Sequence, residues 1–75
     1  MGHLPVISGK ELVRALSKLG YELDHQTGSH IILRNEHPPH RRLTVPNHRT
    51  IAKGTLRQIM RDAGISIEAL SDLLD

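Results

Sequence analysis

Leu12, Val13, Leu16 and Leu19 recur at the spacing of one face of an α-helix. Ser8-Gly9-Lys10-Glu11 stands just ahead of them as a capping box, in which the Ser8 hydroxyl caps the helix start and Glu11 reaches back. Gly20 stands where a left-handed C-cap belongs. These signals predict a first helix over about Gly9–Leu19, behind an extended lead-in, Met1–Ile7, that contains Pro5. The period then changes to two. Tyr21, Leu23 and His25 alternate with Glu22, Asp24 and Gln26, which predicts a strand over Tyr21–Gln26. Thr27-Gly28-Ser29 reads as a turn. His30–Arg34 reads as a second strand, with Ile31 and Leu33 on one face and His30, Ile32 and Arg34 on the other. Asn35–His40 contains Pro38-Pro39 and must be a loop. Arg41–Val45 is a third strand, with Leu43 and Val45 inward and Pro46 ending it.

Asn47–Ala52 is polar loop. Leu56, Ile59, Met60 and Ala63 then mark a helix over Lys53–Ala63, closed by Gly64, and Ser66 caps a last short helix over Ile67–Leu74. The order is helix, three strands, helix, short helix: an α+β chain. Connections this short make sequential strands pair as an antiparallel meander. Helices can cover only one face of so small a sheet, and antiparallel sheets tolerate a wet second face. We expect a single domain over residues 1–75, with its core over about 8–74.

Composition narrows this picture. A 75-residue chain builds a small core, and with no cysteine it has no disulfide or Cys-ligated zinc to reinforce it. Either the fold is very regular or a protein partner helps to hold it. Seven of the ten cations are Arg, which suits bidentate phosphate contacts. Tyr21 is the one aromatic residue, which argues against domains that stack bases on aromatic platforms. No apolar run reaches the roughly 18 residues of a membrane-spanning helix, and Leu4–Ile7 is too short for a signal peptide. The chain reads as cytoplasmic.

The segment Gly28-Ser29-His30-Ile31-Ile32-Leu33-Arg34 holds the candidate chemistry. A glycine turn delivers His30 at the start of a strand, with Arg34 on the same face two pleats on. Such a His can move a proton at a ribose 2′-OH or a leaving oxygen, and an Arg can stabilise charge on phosphorus. In an ordinary domain the same pair is a solvated His and Arg. Lys10, Arg14 and Lys18 form an i, i+4, i+8 stripe on the first helix, and Lys53, Arg57 and Arg61 repeat it on the second. Like charges at that spacing cost helix stability, so the stripes point to backbone phosphates; the plainer reading is a solvated face. His37, His40 and His48 fall in loops. No third ligand stands at a recognisable spacing from His37-Pro38-Pro39-His40, so we expect no metal site. His3 and His25 carry no readable signal.

From Gly9 to Leu70 the chain resembles the HicA family of toxins. The resemblance rests on Ser8-Gly9-Lys10-Glu11, Leu16-Ser17-Lys18-Leu19-Gly20-Tyr21, Gly28-Ser29-His30, Val45-Pro46-Asn47-His48, Gly54-Thr55-Leu56-Arg57-Gln58-Ile59 and Ala63-Gly64-Ile65-Ser66. It implies a double-stranded-RNA-binding-domain-like fold and a cofactor-free mRNA interferase. It places the family's catalytic histidine, which follows Gly-Ser, on His30. It also implies neutralisation by a HicB antitoxin that covers the active site. Three features depart from the family pattern: the long two-proline loop Asn35–His40, Ile31 where a second His is common, and Lys53-Gly54 in place of Lys-Pro-Gly.

The expectation is therefore an endoribonuclease that needs no metal, with His30 as general acid or base. Gly28 and Ser29 would present His30, and Arg34 and the helix cations would hold phosphates. A non-catalytic double-stranded-RNA-binding module is the first rival. Against it, only Lys53 occupies the start of the second long helix, where that class clusters several Lys. The second rival is a protein-interaction domain, against which His30 itself argues.

Overall fold

The computed structural model describes residues 3–75; Met1 and Gly2, the first residues of the expected lead-in, lie outside the described residues. The elements are α1 (Gly9–Ser17), β1 (Tyr21–Thr27), β2 (His30–Asn35), β3 (Arg42–Pro46), α2 (Lys53–Ala63) and α3 (Ile67–Leu74). The strands form one antiparallel sheet in the order β1-β2-β3. This is the α+β helix–meander–helix arrangement of double-stranded-RNA-binding-like domains.

Local chemistry sets most boundaries. The capping box of α1 is formed on both sides: Glu11 N donates to Ser8 Oγ at 3.1 Å, and Ser8 N donates to Glu11 Oε1 at 3.0 Å. α1 ends two residues before the expected Leu19. The N–H groups of Lys18, Leu19 and Gly20 bond three residues back, to Ala15, Leu16 and Ser17, and tighten the chain out of the α-helix. Gly64 closes α2 with φ 71°, and Ser66 Oγ caps α3 through Ala69 N at 3.1 Å. At the other ends of the sheet, β1 runs on to Thr27 because Thr27 pairs with His30 across a two-residue turn, Gly28-Ser29. Gly28 has φ 54°, a conformation that disfavours any residue with a Cβ. β3 starts at Arg42 rather than Arg41. It includes Pro46, which is tolerated at the end of an edge strand where no ladder N–H is needed.

Period two does not hold along the whole of β1. A bulge between Leu23 and His25 inserts Asp24 as an extra residue, so His25 pairs with Ile32 while Leu23 pairs with Leu33. Leu23 and His25 therefore lie on opposite faces of the sheet. Leu23, on the edge strand β1, keeps 62% of its surface exposed.

α1 and α2 cover the face that carries Ile31, Leu33, Leu43 and Val45, and α3 packs on α1. Leu12, Leu16, Leu33, Leu56, Leu70 and Val45 are fully buried. Burial of each leucine contributes about 1.5–3 kcal/mol. The opposite face of the sheet carries the rows Thr27–His30–Pro46, His25–Ile32–Thr44 and Glu22–Arg34–Arg42. The lead-in lies against the β3–α2 loop, where Ile51 N donates to Ile7 O and Gly9 N donates to His48 O, both at 2.9 Å. Among the described residues, no helix is long and apolar enough to cross a membrane.

Candidate active site

His30 is the first residue of β2, and its side chain is exposed. Its strand neighbours are Thr27 and Pro46. At this corner of the sheet, where β2 begins, β3 ends and α2 starts, lies an open groove of about 280 Å3. It is lined by His30, Thr44, Pro46, His48, Ala52 and Thr55. That is just below the usual size of small-molecule clefts, about 300–1,000 Å3. A second groove of about 360 Å3 shares His48 and continues over Ser8, Lys10, Asn47 and Arg49.

The two histidines stand on backbone segments that are bonded to each other. Asn47 N donates to Ser29 O at 2.6 Å, and His48 O accepts from Gly9 N. Gly9 is a requirement of this arrangement, because a Cβ there would collide with the Pro46 carbonyl. Across the groove, α2 begins with Ala52 as its N-cap residue and has no side-chain cap. The N–H groups of a helix's first turn, with the positive end of its dipole, favour anions.

The expected site residues separate into groups. Gly28 and Ser29 form the two-residue turn that precedes His30. Arg34 lies apart: four residues along a strand is about 13 Å, and it pairs with Glu22 and Arg42 rather than lining the groove. Its environment is the Asp24 cluster. There, a hydrogen bond from His25 at 2.8 Å, followed by the charges of Arg42, His25 and Arg34, holds the Asp24 carboxyl below its ordinary value. Of the first basic stripe, Lys10 lines the second groove. Arg14 lies by Leu73 and Leu74, and Lys18 Nζ donates to Leu73 O at 2.7 Å and Asp75 O at 2.8 Å, tying α1 to the end of α3. Lys53, Arg57 and Arg61 are all exposed on α2, with Lys53 next to the groove residue Ala52.

The two-proline loop also holds its histidines locally. His40 Nδ1 lies 3.1 Å from Asn35 O, and His37 Nε2 lies 3.3 Å from Glu36 Oε1. Among the described residues no three His, Asp or Glu side chains are grouped to hold a metal ion.

Sequence reasoning did not place His48, Arg49, Thr44 and Thr55 at these grooves. A signal for His48 was present. In an antiparallel meander the start of β2 lies beside the end of β3, so a residue just past Pro46 falls near His30.

A small α+β domain with a histidine-lined groove at a sheet corner, flanked by cations, is the class this structure defines. A family model described as the HicA toxin of bacterial toxin-antitoxin systems matches residues 9–65, which include the groove residues from both strands and from α2. The chain belongs to the HicA toxin family. No curated protein matches it significantly.

Proposed function

We propose that this toxin is an endoribonuclease that cleaves mRNA without a metal cofactor, with His30 as general acid or base. The observation that carries the reading is the exposed His30 imidazole in an open groove of a HicA-family chain. Imidazole exchanges protons near neutral pH and suits transfer at a ribose hydroxyl. The adjoining Lys10 and Arg49, with Lys53, Arg57 and Arg61 on α2, supply cations for neighbouring phosphates.

The partner proposed for this toxin is a HicB-type antitoxin that covers the groove. A protein that binds only the folded chain stabilises it by mass action, by about 2.7 kcal/mol at a hundredfold excess over Kd. Saturating antitoxin is expected to raise the melting midpoint by roughly 10 °C or more; an unchanged midpoint in calorimetry contradicts the stabilising role.

Expression in bacteria tests the catalytic assignment. Wild-type toxin is expected to arrest growth and deplete mRNA, while His30→Ala accumulates as folded protein and does neither. Equal arrest by both chains would place the active group elsewhere.

A further inference from the structure

We infer that His48 is the second acid–base catalyst, working with His30 on the same phosphodiester. This inference rests on the ribonuclease reading above. Cleavage of RNA by its own 2′-hydroxyl needs two proton transfers, one from O2′ and one to O5′. A single imidazole serves one of these transfers well at a time: neutral it is a good base but a poor acid, and protonated it is a good acid with no lone pair to accept a proton. The groove supplies a second imidazole. His48 and His30 line it together, both exposed, and they enter it from different elements, the β3–α2 loop and β2.

The loop is fixed where this chemistry needs it fixed. The residues just before the two histidines are joined by the Asn47–Ser29 bond, and the His48 carbonyl is held by Gly9. The charged and titratable groups that line the two grooves are His30 from β2, His48 and Arg49 from the loop, and Lys10 from α1. The α2 residue in the His30 groove is Thr55, which does not titrate, and among the described residues no carboxylate lines either groove. Both surroundings suit a polyanion that passes from the histidine pair toward Lys10 and Arg49.

The step balances with no co-reactant. One neutral imidazole takes the O2′ proton as O2′ attacks phosphorus and the O2′–P bond forms. The P–O5′ bond breaks with its electron pair on O5′, which takes a proton from the other, protonated imidazole. The products are a 2′,3′-cyclic phosphate and a 5′-hydroxyl, and solvent exchange restores the two protonation states.

The test is the pH–rate profile of RNA cleavage by wild type, His48→Ala and His30→Ala, with product ends identified and folding checked by circular dichroism. Wild type is expected to give a bell-shaped profile and cyclic-phosphate ends. His48→Ala is expected to lose about 10²–10⁴ in kcat with KM within about threefold, and to lose one limb of the bell. Added imidazole is expected to restore part of its rate. If His48→Ala keeps kcat within about threefold, or loses kcat but keeps both limbs, the inference fails while the ribonuclease reading stands. If wild type does not cleave RNA, both fall.

Discussion

The carbonyl of Ser29 accepts a hydrogen bond from the backbone N–H of Asn47 at 2.6 Å, so the residue before His30 is joined to the residue before His48. The bond continues the β2–β3 ladder one step past Pro46, and it sets the spacing of the groove through main chain alone. Side-chain substitutions at Ser29 or Asn47 leave it in place. The backbone at Gly9, which packs on the same loop, is where the groove is sensitive.

Gly9→Ala tests that sensitivity. The added methyl meets the Pro46 carbonyl, a backbone atom, so the β3–α2 loop must shift. Overpacking of this kind costs about 1–3 kcal/mol, or a fall in melting midpoint of roughly 4–8 °C for each kcal/mol in a domain of this size. Cleavage is expected to fall with it, because both histidines depend on the loop. A midpoint within 1 °C of wild type (about the precision of such a scan, and well below the shift expected for 1 kcal/mol) would contradict the packing account.

Arg34→Ala is expected to leave the cleavage rate within about threefold of wild type. The strand rise puts Arg34 about 13 Å from His30, and its neighbours are Glu22, Arg42 and the Asp24 cluster. A loss of a hundredfold in kcat, near 2.7 kcal/mol of transition-state stabilisation, would mean that substrate bridges the two ends of β2.

The Asp24 carboxyl gives a pH signature with a definite sign. Its folded-state pKa lies below the ordinary value of 3.8, chiefly through the His25 hydrogen bond and then Arg42. The stabilisation is present above the ordinary carboxylate value and is lost as pH falls through the lower, folded value. Between about pH 5 and pH 2, wild type is therefore expected to lose more melting temperature than Asp24→Asn. Parallel curves for the two proteins would show that the cluster contributes nothing.

Much of this architecture is legible in the sequence. The α2 and α3 boundaries came out of apolar spacing and caps, because Gly64 and Ser66 act locally. The turn at Gly28 was legible in Thr27-Gly28-Ser29, and the face of His30 in the period of two along β2. The bulge at Asp24 was not readable, since an inserted residue leaves the alternation of side-chain types unchanged. The role of Lys18 was hidden because its acceptors, Leu73 O and Asp75 O, are distant in sequence. The distance of Arg34 from the groove was not legible for a simple reason: sharing a face of a strand says nothing about sharing a groove, and four residues of strand span about 13 Å. His48 was read only as a loop histidine and not placed beside His30, because loop residues carry no periodicity, although the register of the meander leads directly to it.

Cleavage of a defined single-stranded RNA by purified wild-type and His30→Ala chains, in excess EDTA, decides whether His30 carries a metal-independent ribonuclease activity. Cutting by wild type alone is the expected result, and it would establish a metal-independent nuclease that requires His30. Equal cutting by both chains, or by neither, would contradict the account.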